Sequence, residues 1–347
     1  MSGIGRYITH TLSYLLTTDL AEQLTVITSA NGRDTLIKEA GASEKKIICA
    51  HCGIYNPAAQ IELLKLVPAG HIFISPHFTI PFFYRGKIIT TIHDLIHLQA
   101  GFLKKNTACL FLQAAAKKSD FIITVSNHTR MEFISRFKPR CTVSTIYNGV
   151  SVPLQNSDFK KKFSFPFVFS SGNIKKHKNF ISVIRAFAEF TKKGRHENVR
   201  LVIAGDTSDS SYTELINFSE KNLPGRVIFT GSIPDDEYFR LLRQAEVYLF
   251  LSRSEGFGYT PLEAMLCGTP VICSDAGALT ESAGAGALCC SPFDTGQAAI
   301  FLQRLFSDRK FRLECITRGN RHARNFSVKK SGAAHYEIIK SLLRQDK

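Results

Sequence analysis

No stretch of this sequence approaches the ~18 consecutive apolar residues that a membrane-spanning helix needs. The segment from Met1 to Leu20 carries Arg6, His10 and several threonines, and it lacks the unbroken apolar core of a signal peptide. Internal repeats and low-complexity tracts are absent as well. Together these absences exclude fibrous and membrane-spanning classes and lead to the expectation of a soluble, non-exported, cytoplasmic protein. Metal signals are equally thin. Most of the nine cysteines sit in apolar runs, such as Val271-Ile272-Cys273, and read as reduced core residues. Cys49-Ala50-His51-Cys52 has the spacing of a metal or redox motif, but the second ligand pair that a zinc site needs is missing.

What is present is an ordinary globular composition. Hydrophobic residues make up 44% and charged residues 21% of 347, which excludes disorder, collagen and coiled coil. At ~100–200 residues per domain, two domains are expected. Lysine and arginine total 44 against 29 acidic residues, a net charge of +15. That balance favours polyanionic partners: nucleic acid, nucleotide phosphates or an anionic membrane. The basic residues are scattered, with short clusters at Lys160-Lys161-Lys162 and Lys175-Lys176-His177-Lys178. No nucleic-acid module accompanies them, so nucleic acid is not the expected partner.

Short apolar, β-rich runs alternate with helix-like segments along the whole chain. Strands are predicted at Leu24–Thr28, Lys46–Ala50, His71–Ser75, Lys87–Ile92, Phe121–Val125 and Val143–Tyr147. A second series follows at Phe165–Ser170, Val199–Ala204, Val227–Thr230, Val247–Leu251 and Pro270–Cys273. Helices are predicted between them, among others at Lys104–Lys118, Asn127–Phe137, Asn179–Lys193 and Asp235–Gln244. This alternation predicts an α/β protein with parallel sheets covered by helices on both faces. Residues 148–164 are polar and rich in turn formers, and read as a linker. The predicted architecture is two doubly wound, Rossmann-like domains facing across a cleft, with ligands beyond the carboxyl ends of the strands. The chain opens on Gly3-Ile4-Gly5, a glycine loop entering a helix, without the strand that normally precedes it. The expectation is that the recorded start lies inside the true reading frame, because a vacant sheet position would leave backbone groups unpaired.

The most informative string is Ser254-Glu255-Gly256-Phe257-Gly258-Tyr259-Thr260-Pro261-Leu262-Glu263-Ala264-Met265. Thr260 as N-cap, Pro261 in the first turn and Glu263 as the capping-box partner predict a helix start. Gly256 and Gly258 permit close approach of a ligand to the backbone, and a helix amino terminus attracts anions. Glu255 has no partner near it in sequence. Local chemistry alone leaves capping and ligand binding both open.

The whole string, with Cys267-Gly268-Thr269-Pro270-Val271-Ile272 after it, resembles the signature of retaining glycosyltransferases of the GT-B fold, family 4 (glycosyl transferases group 1). Further segments are similar and in the same order. They include Ser2 to Tyr7, Ser75-Pro76-His77, Thr91-Ile92-His93-Asp94-Leu95, Val125-Ser126-Asn127-His128-Thr129, Tyr147-Asn148-Gly149-Val150, Ser171-Gly172-Asn173-Ile174, Lys176-His177-Lys178-Asn179, and Asp275 to Ala278 with Glu281. His177 stands where the family usually has arginine, which leaves Lys178 as the more secure phosphate ligand.

The resemblance implies roles. Residues 1–155 would form the acceptor-binding domain and 163–325 the nucleotide-sugar domain. Residues 326–347 would form a terminal helix returning to the first domain, with Tyr336, Ile339 and Leu343 at packing positions. Glu255 would bond hydroxyls of the donor sugar, Glu263 would hold the ribose, and Lys178 would neutralise the diphosphate. Gly3, Gly5, Gly172, Phe257, Gly258, Tyr259 and Thr260 would complete the donor site. His93 would sit beside the donor sugar, with His77 and Asp94 toward the acceptor. The implied activity is transfer of a hexose, mannose first, from GDP-mannose or a UDP-hexose. The acceptor would be a glycan or lipid-linked molecule, as in lipopolysaccharide or other polysaccharide synthesis. Retention, no cofactor and no metal are implied, and the sequence has no Asp-x-Asp motif placed to hold a metal diphosphate. Peripheral contact with an anionic membrane, through Phe102, Leu103, Lys104 and Lys105, would use part of the charge. The alternatives are a GT-B nucleotide-sugar epimerase or phosphorylase and, from another class, a basic nucleic-acid-binding protein.

Overall fold

A computed structural model describes residues 3–99, 101–153, 161–192, 196–209 and 211–344, the side chains of 99, 103 and 104 excepted. The chain divides into two compact units. Unit 1 is residues 1–149 with 326–347, and unit 2 is residues 150–325. The lysine cluster's Lys160 and the linker core 154–160 lie outside the described residues.

Unit 1 runs α1 (Gly3–Leu15), β1 (Val26–Ser29), α2 (Ala30–Ala40), β2 (Ile47–Ala50), α3 (Pro57–Leu66), β3 (Phe73–Ser75) and β4 (Ile88–Ile92). It continues with α4 (Phe102–Lys118), β5 (Phe121–Thr124), α5 (Asn127–Phe137) and β6 (Thr142–Thr145). Its strands are all parallel, in a two-stranded sheet β1-β2 and a four-stranded sheet β3-β4-β5-β6. Every residue of β4 is buried, which is the pattern of a strand covered on both faces. The amino-terminal glycines are not a loop: Gly3 and Gly5 lie in the first turns of α1.

Unit 2 runs β7 (Phe167–Ser171), α6 (Phe180–Thr191), β8 (Arg200–Ala204), α7 (Ser211–Asn222), β9 (Val227–Gly231), α8 (Asp235–Gln244), β10 (Val247–Phe250) and α9 (Tyr259–Leu266). Then follow β11 (Val271–Ser274), α10 (Leu279–Ser282), β12 (Leu288–Cys290), α11 (Thr295–Ser307) and α12 (Arg309–Ala323). Its six parallel strands take the order β12-β11-β10-β7-β8-β9. The order reverses between β7 and β10, and in an open parallel sheet that switch point is where the strand-end loops part to make a crevice.

The last helix, α13 (Val328–Arg344), belongs to unit 1. Ile339 and Leu342 are buried with Leu15, Ile89, Ile123 and Ile146, and Tyr336 and Leu343 pack against the same cluster. Burying each such side chain contributes roughly 1.5–3 kcal/mol. The approach of α13 to α1 is close because residue 332 is glycine: a Cβ there would fall 2.2 Å from Tyr14 Cγ. No helix among the described residues is long and apolar enough to cross a membrane.

Candidate active site

In unit 2 the candidate residues gather on the loops after β7 and β10, at the switch point. β7 ends at Ser171, and Gly172 follows with φ +140°, a conformation that disfavours any side chain. The loop after β8 presses on it: a Cβ on Gly205 would meet Gly172 O at 1.9 Å. Lys176 to Lys178 form a single 3₁₀ turn. Asn179 then adopts the left-handed conformation, φ 58°, and its Nδ2 donates to Leu251 O at 2.9 Å and Pro292 O at 2.7 Å. Ser252 Oγ and the Arg253 N–H both donate to His177 O, at 3.1 and 2.8 Å. Three of these hydrogen bonds tie the two loops into one piece, and the one to Pro292 anchors Asn179 to the segment after β12.

That tie brings Lys178 to Glu255. Nζ lies 2.7 Å from Oε1, and the side chains are only 18% and 12% exposed. The ammonium also stands 5.3 Å from the centre of the Phe250 ring. Glu255, which has no sequence-local partner, is thus paired across 77 residues. The pair does not exhaust either group. An ammonium has three donors and a carboxylate about four lone-pair positions, so each keeps capacity for a ligand.

The capping box predicted at Thr260 does not form. α9 begins at Tyr259 with Gly258 as its N-cap, at φ +97° and with no side-chain cap. Thr260 lies inside the helix, as its second residue. A Cβ at Gly258 would meet Leu279 Cδ2 at 2.5 Å, so the position admits only glycine. The Phe257 carbonyl accepts from Ser282 Oγ at 2.5 Å. Glu263 is 1% exposed and accepts from the Tyr238 hydroxyl at 2.8 Å. The crevice therefore collects an uncapped helix amino terminus, a lysine and two carboxylates held by specific partners. An ammonium with helix N–H groups suits a diphosphate, and carboxylates suit vicinal hydroxyls. Tyr238 and Gly205 are the contributors that sequence reading missed, and Asn179, which lies in a segment the sequence singled out, turns out to hold the two loops together. Each acts through a partner more than 20 residues away.

In unit 1 the candidates His77, His93 and Asp94 lie just beyond the carboxyl ends of β3 and β4. His93 Nε2 is 2.8 Å from Pro76 O, and its carbonyl accepts from Thr129 Oγ1 at 3.3 Å. Burial pushes the His93 pKa down, so the ring is neutral. Asp94 Oδ1 accepts the Ile96 N–H at 2.9 Å. His77 packs against Phe78 with ring centres 3.9 Å apart and planes tilted by 36°, and its Nδ1 is buried without a partner among the described residues. Burial, with His93 and His97 nearby, depresses its pKa to about 3. Half-exposed Tyr55, which the sequence did not single out, meets the His77 ring edge-on at 6.1 Å.

The Cys49–Cys52 segment has a structural explanation: its His51 and Cys52 N–H groups donate to Glu62, at 2.7 and 2.9 Å. Among the described residues no group of three or more His, Cys, Asp or Glu side chains is placed to hold a metal ion. All nine cysteines are free thiols.

Parallel doubly wound units with a crevice of this kind are the architecture of GT-B glycosyltransferases. Residues 155–322 match the family model of glycosyl transferases group 1. The O-antigen chain mannosyltransferase B of Escherichia coli is 22% identical over 94% of this chain and 93% of its own length. The O-antigen chain mannosyltransferase RfbU of Salmonella typhimurium is 28% identical over 67% of this chain and 65% of its own. Among solved structures, Anabaena HepE in complex with UDP-glucose superposes with a TM-score of 0.77. It is 18% identical and covers 98% of this chain and 96% of its own. Residues 155–322 are a glycosyl transferases group 1 domain, and the chain is a glycosyltransferase with mannosyltransferase relatives at low identity.

Proposed function

We propose that this protein transfers a hexose, mannose in the first instance, from a nucleotide-diphosphate sugar to a glycan or lipid-linked acceptor. Transfer would retain the anomeric configuration and need no bound metal. The observation that carries the reading is the Lys178–Glu255 pair beside the uncapped start of α9, with buried Glu263 on the same helix. In this reading Lys178 and the α9 amino terminus take the diphosphate. Glu255 accepts from sugar hydroxyls and Glu263 from the ribose. Interactions that strengthen as the leaving diphosphate gains charge lower the barrier. The C1–O bond to the diphosphate breaks, the acceptor oxygen bonds to C1, and its proton passes to the departing phosphate. Gly172 and Gly258 keep the backbone open to the phosphates, and His93, His77 and Asp94 serve the sugar and acceptor side. Gly3 and Gly5, at the start of α1, are proposed to pack against the same diphosphate.

The mannose assignment draws on the names of the two O-antigen mannosyltransferase relatives, whereas UDP-glucose in the HepE complex keeps a UDP-hexose open. Exposed Phe102, Phe83 and Leu110 with Lys105 on unit 1 support peripheral contact with an anionic membrane. The side chains of Leu103 and Lys104 lie outside the described residues. A thermal-shift panel of GDP-mannose, UDP-glucose, UDP-N-acetylglucosamine, GDP and UDP, with and without EDTA, tests the donor. A ligand at ~100 times its Kd adds ~2.7 kcal/mol of stability. Selective stabilisation that survives EDTA and disappears in Glu263→Ala is the expected result. A folded sample that responds to none of them refutes the reading.

A further inference from the structure

Unit 1 contains a buried polar chain that runs from α13 to the end of β4, and its hydrogens can be assigned from donors and acceptors alone. His335, on α13, is 2% exposed. Its Nδ1 lies 2.8 Å from Ser331 O, which can only accept, so Nδ1 carries the hydrogen. Burial depresses this ring's pKa to about 4, so at neutral pH Nε2 is a bare lone pair. Tyr7, on α1, is 3% exposed, and its hydroxyl is 2.9 Å from that Nε2. Tyr7 must therefore donate to His335. Thr91 Oγ1, on fully buried β4, is 2.8 Å from the same hydroxyl and must donate to it.

The Tyr7 ring, fixed at its hydroxyl, stands against His93: the ring centres are 4.8 Å apart and the planes 85° apart. On the other side His93 Nε2 faces Pro76 O, another group that only accepts, so Nε2 holds the hydrogen. The lone pair of this neutral imidazole is then on Nδ1. Among the described residues no hydrogen bond occupies that atom.

We propose that Tyr7 and His335 are positioning residues for His93. They hold the imidazole so that Nδ1 accepts a hydrogen bond from a hydroxyl of the sugar substrate. This rests on the glycosyl-transfer reading of the site. His335 acts by its hydrogen bond to Tyr7, and Tyr7 by its T-shaped contact with His93. A helix far along the chain thereby sets the aim of a residue at the end of β4.

Two measurements test this. Nitrogen-15 NMR of the imidazoles in the full chain at pH 7 should find His335 protonated on Nδ1 and His93 on Nε2. Either tautomer reversed, or either ring charged, overturns the assignment whatever reaction the protein runs. Kinetics with the nucleotide sugar that the protein turns over test the role. His335→Leu should lower kcat about tenfold with KM little changed, since small misplacements of reacting groups are costly. His335→Gln, whose amide oxygen can accept from Tyr7, should recover most of the loss. In a His93→Ala background, His335→Leu should lower kcat less than about twofold further. Tyr7→Phe, which keeps the ring and the packing, serves where larger changes unfold the chain, and it should behave as His335→Leu does. Full additivity with His93→Ala, or no rescue by glutamine at equal melting temperature, overturns the proposal. A protein that turns over no nucleotide sugar refutes the proposed function instead, and the tautomers then decide this inference alone.

Discussion

The Lys178–Glu255 pair makes an unusual prediction about a double substitution. Lys178→Met removes a charge-assisted contact to the diphosphate, about 1.5–3 kcal/mol. It also leaves Glu255 unneutralised beside the site. A phosphate oxygen bonded to Nζ would sit no more than ~5.5 Å from Glu255 Oε1. At an effective dielectric of ~20, two unit charges at that separation repel by about 3 kcal/mol. Both side chains keep some contact with water, 18% and 12%, which screens the repulsion to about 1–2 kcal/mol. Adding Glu255→Gln to Lys178→Met should remove that repulsion. The double variant should therefore bind UDP or GDP about 5- to 30-fold more tightly than Lys178→Met alone, while staying weaker than the native protein. Isothermal titration of the three proteins with the diphosphate that stabilises the native chain reads this directly. A double variant as weak as Lys178→Met would refute the idea that the carboxylate and the diphosphate share one field.

Three further outcomes follow from the same geometry. Tyr238→Phe strips a hydrogen bond from the buried Glu263 carboxylate, so it should cost about 1.5–3 kcal/mol and lower the Tm, with nucleotide affinity falling alongside. An unchanged Tm and affinity would show that the carboxylate finds another donor. Gly205→Ala drives a methyl into Gly172 O and should cost at least ~1–3 kcal/mol, or roughly 2–4 °C of Tm per kcal/mol for a unit of this size, along with donor binding. Acidification should destabilise unit 1. His335 and His77 titrate near 4 and 3 in the fold but near 6.5 in the unfolded chain, which therefore binds the proton first as pH falls. Stability is full above pH 6.5 and declines below it. For His335 the loss is on the order of 3 kcal/mol by pH 4, at ~1.4 kcal/mol per unit. Melting curves from pH 7 to 4 on the native protein and on His335→Gln check this, and the variant's profile should be flatter.

Much of the fold was legible because parallel strands buried on both faces are written as short apolar runs. Ile88–Ile92 and Val247–Phe250 stand out for that reason. β12, Leu288–Cys290, did not, since it follows an alanine and glycine run and holds no β-branched or aromatic residue. The acidic residues of the candidate site were proposed from the string around Glu255 and Glu263. Their partners were not legible there, because Lys178 and Tyr238 reach them through the sheet rather than along the chain. Thr260 misled for another reason. A threonine near the start of a helix looks like a cap in sequence, but the left-handed Gly258 lets the helix begin one residue earlier, at Tyr259.

The return of α13 to unit 1 makes the molecule a nested one. Unit 2 is a continuous insert, and unit 1 is completed only by residues made after it. During synthesis the insert can fold as soon as it emerges, while its host waits with Leu15, Ile89 and Ile123 uncovered until Ile339 and Leu342 arrive. The long-range closure slows the host's folding relative to the insert's. It also leaves the host's apolar surface as the one a ribosome-associated chaperone would meet.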